Sequence, residues 1–207
     1  MMTTDATRQS TSKLIADEHS AVASVLRSLN PLVEHGPGDE PHRFFDVLRA
    51  MLFYLDEFPE KNHHPNESNL LFPRVALKAP QLMPVIQKLE ADHIQGEQRI
   101  RELQHLLLAW ELLGDSRRAA FVEAMQQYVR FYLEHMRIEE TQILPVAREV
   151  FSPEDWAEMD HAFEAARDPL AGGTRDPVYD RLFTRIVLAT PAPLGLGAEL
   201  KSHTGAS

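Results

Sequence analysis

The chain has 207 residues, a formal net charge of -10 at pH 7 and no cysteine. An acidic surface repels phosphate backbones, which excludes nucleic-acid binding through a basic patch. Without cysteine there are no disulfides, iron–sulfur clusters, thiolate zinc sites or cysteine nucleophiles, so any metal site must use His, Asp and Glu. Apolar residues make up 43% and charged residues 25%, which suits one globular domain with a real core. No apolar run reaches the ~18 residues of a membrane span, so no membrane insertion is expected. The polar N-terminus MMTTDATRQSTSK lacks the apolar stretch of a secretory signal, and a cytoplasmic location is expected.

Five helical segments are predicted. The first runs from about Ser12 to Glu34, with Leu14, Ile15, Val22, Val25, Leu26, Leu29 and Val33 at helical spacing and a frayed or kinked end at Asn30-Pro31. A loop follows from His35 to Pro41. The second segment starts at Pro41 and runs toward Phe72, and Pro59 and Pro65 predict a kink or break inside it. The third spans about Gln81 to Leu113, with Pro84 in its first turn and Gly114 as its C-terminal cap. The fourth follows Asp115-Ser116 and reaches about Val150, with Pro145 predicting another kink. The fifth opens on Ser152-Pro153-Glu154-Asp155, a serine cap with proline and acids in the first turn, and ends near Asp168-Pro169. No strand pattern stands out. The expectation is an all-α, up-down-up-down four-helix bundle with a short fifth helix over residues 12–168. A partly irregular C-terminal appendage over residues 169–207 completes it.

The histidines repeat in register. His63 and Glu67 are followed by Pro73, and His135 and Glu139 by Pro145, so both stretches read H-x3-E-x5-P, 72 residues apart. A second echo links Asp17-Glu18-His19 to Asp92-His93. The first two segments therefore resemble the next two: a lone histidine on one helix, then an H-x3-E helix. Residues four apart lie one turn apart on one helix face, so each His/Glu pair can aim at a common point. Four imidazoles and two carboxylates suit a pair of first-row transition ions, and mixed nitrogen and oxygen ligation without sulfur suits iron. His64 is read as an orienting partner or as exposed. His35, His42, His105, His161 and His203 read as surface residues. Tyr132 and Phe131 share the face of His135, as core packing or as the wall of a small pocket.

These motifs, together with Asp92-His93-Ile94-Gln95-Gly96-Glu97 and His135-Met136-Arg137-Ile138-Glu139-Glu140, resemble those of the hemerythrin-like, or HHE cation-binding, domains over roughly residues 12 to 150. The resemblance implies an oxo- or hydroxo-bridged di-iron centre held by His19, His63, Glu67, His93, His135 and Glu139, with both glutamates bridging. Zn or Mn are the other metals that such a site would take. Respiratory hemerythrins carry a second histidine four residues after the first on the third helix. Glu97 stands there instead, and is expected as a seventh ligand or an orienting group. The function expected is binding of O2 or a related small ligand, for sensing or storage. Two alternatives stay open: a di-iron enzyme acting on peroxide or nitric oxide, and a metal-free helical interaction module.

Overall fold

A computed structural model describes residues 10–165 and 168–171, together with residues 182, 184 and 186. Four helical rods form the bundle. Helix α1 (Ser10–His35) is the first. The second rod joins α2 (Pro41–Leu55), a π-helical stretch (Asp56–His63), the short α3 (His64–Asn66), a second π stretch (Glu67–Leu71) and α4 (Phe72–Lys78). Helix α5 (Met83–Leu113) is the third. The fourth joins α6 (Arg118–Ile138), a π stretch (Glu139–Ile143) and α7 (Leu144–Val150). Helix α8 (Pro153–Ala165) follows, and a single 3-10 turn (Pro169–Ala171) ends this region. Among the described residues there is no strand.

The turns obey their sequence signals. Gly114 ends α5 at a φ of 88°, a conformation that costs glycine no steric strain. Ser152 and Asp155 cap α8 reciprocally: Ser152 N–H donates to Asp155 Oδ2 at 2.8 Å, and Asp155 N–H to Ser152 Oγ at 3.3 Å.

The prolines leave both rods unbroken. The second rod stays helical from Pro41 to Lys78, and the fourth from Arg118 to Val150, with no break at Pro59, Pro65 or Pro145. Instead the helix widens. Pro59 lies inside the first π stretch, and Pro73 and Pro145 each sit two residues after a π stretch. Proline has no N–H and its ring crowds the carbonyl four residues back, and a wider turn relieves that crowding without ending the helix. Likewise α1 runs through Pro31 to His35.

The core divides into two apolar clusters. One holds Val22–Val33 positions of α1, Phe44 to Phe58, Ile100 to Trp110, and Phe121 to Met136. The other holds Leu14 and Ile15, Leu71 to Val75, Ile86 and Leu89, Ile138 to Ala147, and the α8 residues Trp156, Met159 and Phe163. Each rod thus crosses from one cluster to the other, in alternating direction. His19, His63, Glu67, His93, His135 and Glu139 fall at or beside the crossing points. A polar layer is therefore set between two apolar ones at a single level of an up-down-up-down bundle.

The fifth helix belongs to the second cluster. Trp156 is fully buried, its ring 5.2 Å from that of Phe151. Of the appendage expected over 169–207, Ile186 is buried in the first cluster and Leu182 packs against it; apart from residues 169–171 and 184, the rest lies outside the described residues. Among the described residues no helix is long and apolar enough to cross a membrane. Trp156→Ala is expected to cost about 3–5 kcal/mol in urea unfolding. A loss under about 1 kcal/mol would show that α8 is not part of the core.

Candidate metal centre

The histidines meet in pairs. His19 Nε2 faces His63 Nε2 at 3.2 Å, and His93 Nε2 faces His135 Nε2 at 3.2 Å. Two imidazoles that share one ion at roughly 2.0–2.1 Å each stand about that far apart. The glutamates connect the pairs. Glu67 places Oε1 3.1 Å from His63 Nε2 and Oε2 3.5 Å from His93 Nε2. Glu139 places Oε1 3.1 Å from His135 Nε2 and Oε2 3.3 Å from His19 Nε2. Each carboxylate thus offers one oxygen to each imidazole pair.

The outer ring nitrogens have partners of their own. His63 Nδ1–H donates to Glu18 Oε2 at 2.6 Å and His19 Nδ1–H to Glu140 Oε1 at 3.0 Å. Ser68 Oγ donates to Glu90, so it accepts from His93 Nδ1–H at 3.0 Å. His135 Nδ1 lies 3.6 Å from Asp92 Oδ2, beyond hydrogen-bonding distance. Placing the proton on Nδ1 leaves the Nε2 lone pair facing inward, as a metal ligand requires. The pattern follows the sequence repeat. The acid just before each lone histidine faces the H-x3-E histidine of its own half. The residue just after each glutamate serves the lone histidine of the other half.

The two glutamates sit deep in the cluster. Glu67 and Glu139 are fully buried, and none of their four carboxylate oxygens accepts a hydrogen bond. Burial pushes both carboxyls up, but the surrounding imidazoles outweigh it and hold Glu139 well below the usual carboxylate range and Glu67 below it. Burial disfavours charge on His135 too, yet Glu139 and Asp92 raise it to about 10. Buried oxygens without hydrogen bonds, imidazole nitrogens turned inward and a shared focus are what a cation site needs, and the donors fit one. Two groups of ligand atoms converge closely enough: His19, His63, Glu67 and Glu139, and His64, Glu67, His93 and His135.

The hemerythrin HHE cation binding domain family matches residues 10–147, about two thirds of the chain. The chain belongs to this family. No curated protein gives a significant match. Membership and the cluster together make this a helical metal-binding protein.

Glu97 is a correction to the expected site. It lies on the exposed face of α5 and pairs with Arg101 at 2.5 Å. His64 is neither exposed nor remote. It is buried, and its ring stacks on His93 with centroids 4.0 Å apart.

Glu60 is a site residue that the sequence pattern does not single out. It is buried, 3.0 Å from His64 Nδ1, and the opposite nitrogen of that ring, Nε2, lies 2.8 Å from the Tyr132 hydroxyl. Glu60 and Tyr132 are 72 residues apart and so occupy equivalent places in the repeat, as do His64 and Met136. Their difference breaks the symmetry and lets Glu60–His64–Tyr132 run across the bundle. Gly96 makes room: a Cβ there would come within 2.8 Å of Glu60 Oε1. The legible signal was E-x3-H at Glu60–His64 with a glycine in the facing helix. His35, His42, His105 and His161 are exposed, as expected, and His203 lies outside the described residues.

Burial lifts the Glu60 carboxyl to about 8, despite the opposing pull of His93 and His135. A carboxyl raised in the fold adds stability below its unfolded value of about 4.5, and that stability is lost as pH rises through 8. Glu60→Gln stays neutral in both states. The metal-free variant is expected to overtake metal-free wild type as pH rises from 5 to 8, by on the order of a few kcal/mol in urea unfolding. A stability difference independent of pH would contradict this.

Proposed function

We propose that the chain is a non-haem di-iron protein that binds O2 or a related small ligand for sensing or storage. The observation that carries the reading is the division of each bridging glutamate between two imidazole pairs. His19 and His63 would hold one ion, His93 and His135 the other, with Glu67 and Glu139 spanning both. Zn or Mn would be accepted by the same donors. Two irons bound there would supply reversible redox chemistry and a coordination position for a small ligand.

A small ligand would have room beside the cluster. A cavity of about 10 Å³ adjoins the cluster, lined in part by His19, His63, His64, Tyr132, Val22 and Phe58. It admits a molecule about the size of one water. Val22 and Phe58 give its wall an apolar part, and Tyr132, whose hydroxyl is 2.8 Å from His64 Nε2, a polar one. This size selects a small ligand such as O2, NO or peroxide. A second reading, turnover of peroxide or nitric oxide, is favoured by the Glu60–His64–Tyr132 line, two members of which, His64 and Tyr132, line that cavity. The buried oxygens without partners weigh against a metal-free interaction module.

Elemental analysis is expected to find close to two irons per chain, with visible charge-transfer bands in protein purified in air. No metal, or a single zinc, would remove the oxygen reading. Exposure of the reduced protein to O2 is expected to change its visible spectrum, whereas peroxide or NO consumption far above free iron would favour the enzyme.

His135→Ala and Glu139→Ala are each expected to lose at least one metal per chain. An unchanged metal count in both would place the ions elsewhere. Chelation is expected to lower Tm, because the metal binds only the native arrangement. Identical melting with and without chelator would contradict a buried site.

A further inference from the structure

The two halves of the centre differ in one contact that the repeat does not explain. The carboxylate of Glu18 meets His63 Nδ1 at 2.6 Å, while its counterpart Asp92 stands 3.6 Å from His135 Nδ1. Asp92 is held from the solvent side by Lys88. Glu18 is held instead by a segment after α8. The backbone N–H of Asp168 donates to Glu18 Oε1 at 2.8 Å. Both Asp168 carboxylate oxygens are engaged: Tyr54 Oη–H donates to Oδ2 at 2.5 Å, and Leu170 N–H to Oδ1 at 2.7 Å. Tyr54 is fully buried in the second rod, so it anchors Asp168 to the bundle core. Phe163 of α8 completes the wall, its ring edge-on to His63 with centroids 6.3 Å apart. Asp168 also lines the small cavity beside the cluster.

Phe163, Asp168 and Leu170 lie beyond residue 147, where the family match ends. We propose that the 168–171 segment is a strap that makes the centre asymmetric, with Asp168 as a positioning residue that fixes Glu18 on His63 and so tightens the His19/His63 metal position. The proposal rests on the metal-site reading above. The physical logic is that of an outer hydrogen-bond partner. A carboxylate clamped from both sides holds the imidazole in one tautomer and orientation and raises its basicity. Removing the Asp168 side chain frees the backbone that carries the N–H, and Glu18 gains freedom to leave His63.

The test is stepwise Fe(II) titration of the full-length protein under nitrogen, against a competing chelator. Wild type is expected to take up two Fe(II) with unequal affinity, and His63→Ala to lose the tighter step. Asp168→Ala and Tyr54→Phe are expected to weaken the tighter step, the former about tenfold, and to leave the second unchanged. Asp168→Asn, which keeps an acceptor for Leu170 N–H, is expected to restore most of it. In Glu18→Gln the tighter step is already weakened, and adding Asp168→Ala is expected to change it little further, since both act through one contact. A merely structural strap would lower the Tm of the metal-free protein and leave both steps intact, or would add to Glu18→Gln in full; either result overturns the proposal. Two equal steps in wild type also overturn it while sparing the metal reading. No Fe(II) uptake by wild type removes both.

Discussion

Two fully buried glutamates with no hydrogen bond to any of their oxygens set the terms for the rest of this structure. An unpaired carboxylate in an apolar core is among the costliest groups a fold can hold. Glu67 and Glu139 are tolerated because four imidazoles stand around them and supply compensating charge, as protons or through metal. That compensation works only if four rods deliver their side chains to one level. The apolar clusters above and below hold the rods at that level, and the polar layer between them leaves no alternative sliding register.

The π stretches carry out the delivery. Two of them begin at the two glutamates themselves, and each is closed by a proline two residues beyond its end. Widening the helix by one residue rotates the downstream turns relative to the upstream ones. His63 and Glu67 can then face the focus while Leu71 and Phe72 turn into the second cluster, and His135 and Glu139 do the same ahead of Ile143 and Leu144. Prolines that read as breaks in the sequence are thus the residues that hold the widened turns in place.

The approximate two-fold symmetry reaches beyond the ligands to their partners, then stops at three places. Glu60 corresponds to Tyr132 across the repeat, His64 to Met136, and among the described residues the Asp168 segment meets only the Glu18 side. These are the sites where a duplicated helix pair became a centre with two unlike halves. The cavity lies beside that same broken part, lined by His64, Tyr132, Met136, Glu18 and Asp168.

The sequence by itself determined the helices, their order and most of the focus. Helical spacing of apolar residues, the Gly114 and Ser152 caps and the 72-residue repeat are local or periodic signals, and they put His19, His63, Glu67, His93, His135 and Glu139 on four adjacent rods. Tertiary structure decided the rest. Glu97 shares the i+4 spacing of the true pairs, but it lies on the exposed side of α5 and meets solvent and Arg101. Glu60 looks like one acid among many until Gly96 leaves space for it in the facing helix. Asp168 lies 150 residues from Glu18 along the chain. No spacing rule connects them, because their contact is made only when α8 has folded back against α1 and brought the far end of the described chain onto the metal layer.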